Sequence, residues 1–257
     1  MTNCQVVQCG LVPYAEGWAL QKRLAEARGR DAIPDTLLLL EHPHVYTLGA
    51  AANASNVLWS AAELMAHGVT VEPIDRGGDV TYHGPGQLVG YPILKLPRTI
   101  GGLHADVIGY IRRLEALLID TLASCDIAAF PYPGLTGVWV GQPPVNSDDA
   151  DGWQDCGAAK IAAIGVKVTT KAVTLHGFAL NVTPDLCYFS GIVPCGIADK
   201  PVTSIADWWC ELGRPAAACP TLPDMRERVI ASFATTFSCT LVAPIADPAF
   251  GDFSVNG

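Results

Sequence analysis

The chain has 257 residues, half of them hydrophobic and 16% charged, with a net charge of −9. That length supports one large α/β domain or two small ones with a substantial core, and the composition has no bias toward disorder. The acidic balance argues against nonspecific nucleic-acid binding, which needs a basic footprint, and the longest aliphatic run, Leu37–Leu40, is too short to span a bilayer.

Met1–Cys4 carries neither the basic region nor the apolar segment of a signal peptide, so a cytoplasmic protein is expected. Tyr14–Ala27 spaces Trp18, Ala19, Leu24, Ala25 and Ala27 as a helix does. Thr36–Leu40 reads as a buried strand. Ser60 and Glu63 form a capping box that opens a short helix ending near Gly68. Val69–Ile74 alternates as a strand, and a glycine-rich loop follows. Leu88–Leu96 is strand-like, with Pro92 indicating a bulge or an edge position. His104–Ser124 has a broad apolar stripe and predicts an amphipathic helix.

Val138–Val140 predicts a short strand, and the polar stretch 142–157 an exposed insertion loop. Lys160–Thr169 and Val173–Asn181 predict two strands joined at Thr170-Lys171. Asp185–Phe189 reads as a helical turn, Thr203–Leu212 and Leu222–Phe237 as helices, and 243–257 as a frayed tail. Residues 1–242 then make one α/β domain with a mixed sheet flanked by helices.

Nine cysteines, odd in number and scattered, do not suggest a disulfide framework. No Cys-x-x-Cys pair exists, so no metal site is expected. Arg112-Arg113 and Lys167/Lys171 are the candidate basic patches, read as solvated surface charge.

Three segments hold residues suited to chemistry. The first is Arg76-Gly-Gly-Asp-Val-Thr-Tyr-His-Gly-Pro-Gly-Gln87. Its glycines allow close approach of backbone to a ligand, while Arg76 brings a permanent charge and His83 a group that titrates near neutrality. It fits neither a phosphate loop nor a dinucleotide fingerprint. The second joins Lys160-Ile-Ala-Ala-Ile-Gly165 to His176-Gly-Phe-Ala-Leu-Asn181. Lys160 opens an apolar run and either snorkels to solvent or occupies a partly dry site. Ala163, Gly165 and Gly177 are small enough for a substrate chain to lie against the sheet. In the third, Ser190-Gly-Ile-Val-Pro-Cys-Gly-Ile197, Cys195 falls on a turn between Pro194 and Gly196. It is either an inert thiol or a nucleophile whose thiolate a nearby lysine would favour.

These segments, with Glu41-His-Pro-His-Val-Tyr-Thr-Leu-Gly49, resemble in order the motifs of the octanoyl/lipoyl transferases, over about residues 36–212. That family is related to lipoate-protein and biotin-protein ligases. The resemblance implies their shared α/β fold, and octanoyl transfer from acyl carrier protein to lysines of lipoyl domains. Acceptors would be the lipoyl domains of 2-oxoacid dehydrogenase complexes and the glycine cleavage protein. It implies Cys195 as the acyl-thioester nucleophile and Lys160 as the residue that favours its thiolate. Arg76, Gly77, Gly78, Asp79, Val80, Thr81, Tyr82, His83, Ala163, Ile164, Gly165, Gly177, Phe178 and Ala179 match the substrate-binding stretches. No cofactor or metal is implied, because a thioester is already activated, and no nucleic acid or membrane is expected as a partner. The chain departs from the family at Ala50-Ala51-Ala52, where an arginine usually follows Gly49. An ATP-dependent ligase on the same fold and a non-catalytic acyl-binding scaffold are the alternatives.

Overall fold

The structure, a computed structural model, describes residues 2–97, 105–146, 153–154, 157–244 and 250. In chain order its strands are β1 (Thr2–Leu11), β2 (Asp35–Glu41), β3 (Val45–Leu48), β4 (Thr70–Pro73), β5 (Val80–His83), β6 (Gln87–Ile93), β7 (Phe130–Tyr132), β8 (Leu135–Val140), β9 (Val145–Asn146), β10 (Trp153–Gln154), β11 (Ala159–Val168), β12 (Thr174–Asn181) and β13 (Cys239–Val242). The helices are α1 (Tyr14–Gly29), α2 (Ala61–Ala66), α3 (Val107–Ala123), α4 (Ile205–Glu211) and α5 (Leu222–Thr236).

A mixed eight-stranded sheet runs β13-β1-β2-β6-β12-β11-β8-β7, parallel where β1 meets β13 and β2 and antiparallel elsewhere. A second sheet, β4-β3-β5, has three strands. Strand β2 shows why the large sheet is covered on both faces. Leu37 and Leu39 join a core with Leu114, Leu117 and Leu118 of α3 and Met225, Val229 and Phe233 of α5. Leu38 and Leu40 join Leu20 and Leu24 of α1 in a second core. A strand buried on both faces reads as a continuous apolar run. The small sheet has its own cluster, Tyr46, Val69, Val80, Tyr82 and Ile192.

Helix α2 has the expected capping box: Ser60 Oγ accepts from Glu63 N, and Glu63 Oε2 accepts from Ser60 N at 2.7 Å. Helix α3 starts at Val107, because Asp106 caps it by accepting from Gly109 N at 2.8 Å; His104, its expected start, lies outside the described residues.

Several expectations need correction. Residues 2–11 form β1, which the interruptions at Gln5 and Gln8 hide; Gln5 is buried, and its amide donates to Thr36 Oγ1. Residues 80–83 are strand, not loop. The strand with Pro92 is central, not an edge. Its regular pairing with β12 ends at Gly90↔Phe178. Beyond that point Thr174 Oγ1 donates to Pro92 O at 2.6 Å and accepts from Leu94 N, so proline's missing N–H interrupts no regular ladder. Within 142–157, Val145–Asn146 and Trp153–Gln154 pair as two short antiparallel strands; residues 147–152 and 155–156 lie outside the described set. In the expected frayed tail, Phe250 is instead buried with the α1-side core. The rest of 243–257, apart from Ala243 and Pro244, is outside the described residues.

Close packing at the centre of the sheet gives a stability test. A Cβ on Gly90 would run into the Phe178 ring, with Cε2 at 2.7 Å. Gly90→Ala should lower unfolding stability by about 1–3 kcal/mol, the usual range for overpacking, as read from urea-denaturation midpoints.

Candidate active site

Opposite one another on β11 and β12 stand Ala163↔Ala179 and Gly165↔Gly177. These small residues form a shallow trough, and a Cβ on Gly177 would lie 2.7 Å from Pro92 Cδ, so that glycine also serves the close approach of β6. The trough is the base of a cleft lined also by Ile164, Phe178, Thr81, His83, Arg76 and Cys195.

Cys195 and Lys160, 35 residues apart in sequence, line one adjoining cavity, together with Thr81 and Ala163. Lys160 does not snorkel: it is 5% exposed, with Nζ 4.8 Å from the centre of the buried Trp139 ring. An aromatic face favours a cation, and among the described residues no carboxylate lies within salt-bridge distance of that ammonium. Strict alternation would put Lys160 on the same side as Ala162. A bulge between Lys160 and Ala162, where β11 pairs with β8, breaks that alternation. Cys195 occupies the left-handed region (φ 58°, ψ 18°) inside a single 3-10 turn. Such backbone is costly for a residue with a side chain and clusters at functional sites.

The turn is held from both sides. Val193 N donates to Asn56 O at 2.8 Å, and Asp79 accepts from Asn53 N, Val80 N and the Asn56 side chain. A Cβ on Gly196, whose φ is +70°, would lie 2.9 Å from Asp79 Oδ2. After the turn the chain crosses to the large sheet, where Lys160 N donates to Pro201 O and Thr203 N to Lys160 O, each at 2.9 Å.

Of the eight expected residues from Arg76 to His83, three line the cleft: Arg76, Thr81 and His83. Val80 and Tyr82, on the other side of the strand, are core residues of the small sheet. Gly77 N donates to Val166 O at 3.0 Å and ties the segment to β11. Gly78 O accepts from Ala51 N, and Arg76 O from Ala50 N, so Ala50–Ala52 are held through backbone bonds. Arg76 is 7% exposed and donates to Thr47 O, Thr47 Oγ1 and Gly77 O; burial pushes its pKa down. Gly165 makes room for it, since a Cβ there would lie 2.9 Å from Arg76 Cδ.

His83 is tied into the scaffold. Its Nδ1 lies 2.7 Å from Gln87 Oε1, Gln87 Nε2 donates to Asn181 Oδ1, and Asn181 Nδ2 donates to Thr203 O. Burial, with His42 nearby, pushes His83 down to about 3. The ring is therefore neutral near pH 7.

Tyr14, Tyr91 and His176 also line the cleft and were not among the expected site residues. His176 Nε2 donates to Asp75 Oδ1 at 2.9 Å, and Lys167 Nζ to Asp75 Oδ2 at 2.6 Å. Partial burial raises the Asp75 carboxyl, but these two bonds outweigh it and hold the group at about 2. Tyr14 OH lies 3.4 Å from His176 Nδ1. Val12 O accepts from His42 Nδ1 at 2.6 Å, which leaves Nε2 of the neutral ring to accept from Tyr91 OH at 2.7 Å. The sequence signal for these residues was faint: Tyr14 opens a helix, and Tyr91 sits in an apolar strand.

Of the candidate basic residues, Lys167 has Asp75 as a partner, Arg112 pairs with Glu115, and Arg113 lies over Phe237. Among the described residues, no helix is long and apolar enough to cross a membrane, and no group of three His, Cys, Asp or Glu could hold a metal ion.

Residues 13–234 match the family described as the lipoyl protein ligase A/B catalytic domain. The chain is 46% identical over 239 residues to the octanoyltransferase of Chloroflexus aurantiacus, covering 93% of this chain and 96% of that one. It is 46% identical over 237 residues to the octanoyltransferase of Solibacter usitatus, covering 92% and 94%. Among solved structures, the bi-partite lipoate protein ligase of Thermoplasma acidophilum superposes with a TM-score of 0.71 at 15% identity, over 98% of this chain and 91% of that one. Lipoate-protein ligase A bound with ATP gives 0.67 at 14%, over 98% and 92%. At such identities the two structures speak to fold alone, and the fold is the mixed-sheet α/β domain expected.

The buried histidines make stability depend on pH. Burial pushes His42 from 6.5 to about 4, opposed by its bond to Val12. A histidine held neutral contributes stability that is complete above its unfolded pKa and is lost as pH falls toward its folded one. Between pH 6.5 and 4 the Tm should therefore fall. His42→Asn should remove part of that slope, up to about 3 kcal/mol at 1.36 kcal/mol per pKa unit, as read by thermal unfolding across that range.

Proposed function

The chain belongs to the lipoyl protein ligase A/B catalytic domain family, and on that premise we propose that it transfers octanoyl groups to the lysines of lipoyl domains through a thioester on Cys195. The octanoyltransferase names of relatives matched over nearly the whole chain support the reaction class. The observation that carries the covalent route is the shared cavity of Cys195 and Lys160, opening onto a trough of small residues.

The donor in this reading is octanoyl-acyl carrier protein. Lys160, as ammonium, favours the Cys195 thiolate. The thiolate attacks the thioester carbonyl, a new C–S bond forms, and the bond to the carrier's phosphopantetheine sulfur breaks. The departing sulfur takes the proton from Lys160. The acceptor lysine's ε-amine then attacks the acyl-enzyme, the C–S bond to Cys195 breaks, and neutral Lys160 accepts the amine's proton as the amide forms. That returns the ammonium–thiolate pair. Arg76, Thr81 and His83 with Ala163, Ile164, Gly165, Gly177, Phe178 and Ala179 hold the acyl chain. Gly77, Gly78, Asp79, Val80 and Tyr82 support that wall from behind. Acceptors are the lipoyl domains of 2-oxoacid dehydrogenase complexes and the glycine cleavage protein, and the reaction is placed in the cytoplasm.

Intact-mass measurement after incubation with octanoyl-acyl carrier protein, without ATP, tests this reading. One octanoyl group should add to the parent protein and none to Cys195→Ser. Lys160→Met should slow adduct formation by roughly 10²–10⁴-fold, the range for a proton-transfer group. An ATP-dependent modification of the lipoyl domain with no adduct would overturn the thioester route in favour of a ligase. Octanoyl binding with neither outcome would indicate a scaffold.

A further inference from the structure

We infer that Tyr91 and Tyr14 close the far end of the cleft and set the length of the acyl chain it accepts; this rests on the acyl-transfer reading above.

The strand register fixes the direction. On β6, Gln87 pairs with Asn181 and lines the Lys160 cavity, while Tyr91 lies four residues on, ~13 Å away at 3.3 Å per residue. On β12 the same direction runs from Asn181 through Ala179 and Gly177 to His176, and on β11 from Lys160 through Ala163 to Gly165. Cys195 lines both cavities; Tyr14, Tyr91 and His176 line only the cleft, and Lys160, Gln87 and Asn181 only the smaller one. A chain anchored on Cys195 and laid along the trough therefore ends against the two tyrosines.

Their hydroxyls are turned into other bonds. Tyr91 OH donates to His42 Nε2, and Tyr14 OH is engaged with His176. The rings are what remains to meet a methyl end. The floor also has no slack. His42 is fully buried and anchored to Val12 O, and α1 presses on it so closely that a Cβ on Gly17 would lie 3.1 Å from His42 Cε1. Retreat of Tyr91 would break a buried hydrogen-bonded network, which costs more than a contact at a soft apolar wall. Such a floor rejects added methylenes instead of yielding to them.

The test compares rates of acyl-enzyme formation, by intact mass, for octanoyl and dodecanoyl thioesters of acyl carrier protein. The parent protein should favour octanoyl. In Tyr91→Ala the dodecanoyl-to-octanoyl rate ratio should rise at least tenfold, the low end of what one misfitting methylene is worth, and Tyr14→Leu should move it in the same direction. Tyr91→Phe, which keeps the ring, should stay near the parent ratio. Phe189 lines the Lys160 cavity and not the cleft, so Phe189→Ala, which opens that end, should leave the ratio unchanged. Circular dichroism confirms that each variant is folded. A ratio unchanged in folded Tyr91→Ala and Tyr14→Leu, or one that moves only in Phe189→Ala, overturns the ruler while leaving the transferase reading intact. A parent protein that takes up no acyl group overturns both.

Discussion

A β-sheet keeps its hydrogen bonds whatever side chains it carries, and the active site depends on that independence. The pairing of β11 with β12 is unbroken through Ala163↔Ala179 and Gly165↔Gly177; the alanines carry only a methyl group, while Arg76 occupies the space beside Gly165 and Pro92 that beside Gly177. A void lined by bulky side chains would tend to collapse by repacking. A void made by omitting side chains from a hydrogen-bonded ladder cannot close without breaking backbone bonds. The rest of the site is arranged around that trough: Cys195 stands beside it, and Tyr14 and Tyr91 line the same cleft.

Lys160 and Cys195, the pair invoked in the proposed reaction, rest on different supports. Lys160 belongs to the large sheet and is aimed by a bulge and by the face of Trp139. Cys195 is carried by a turn bonded to the small sheet's surroundings through Asn56 and Asp79. The glycine-rich segment joins the two layers, with its strand in the small sheet and Gly77 bonded to β11. Its conspicuous composition thus reflects two tasks. Thr81 and His83 face the cleft, while Val80 and Tyr82 face a core; glycines at its start let it cross between layers.

Much of this was legible in the sequence, and what was not has identifiable causes. Apolar periodicity placed α1, α3 and α5, the apolar run at Thr36–Leu40 gave β2, and the Ser60–Glu63 box placed α2. The motifs around Lys160, Gly177 and Cys195 were visible because each combines small residues with one reactive group. Strand β1 was hidden because Gln5 is a buried amide paired with Thr36, and polarity there imitates exposure. The direction of Lys160 was undecidable from alternation, since a bulge reverses it. Tyr14 and Tyr91 look like ordinary core tyrosines; their place in the cleft depends on contacts between residues 14, 42, 91 and 176, which local patterning does not encode.

The segment from Val193 to Val202, which carries Cys195, is fixed at both ends, at Asn56 through Val193 and at Lys160 through Pro201 and Val202. It works as a spacer strap. The number of residues in it limits how far Cys195 can stand from the strand that carries Lys160, so a residue inserted or deleted there would alter the cavity the two share. Its composition is held most tightly at Gly196, where a Cβ would lie 2.9 Å from Asp79 Oδ2.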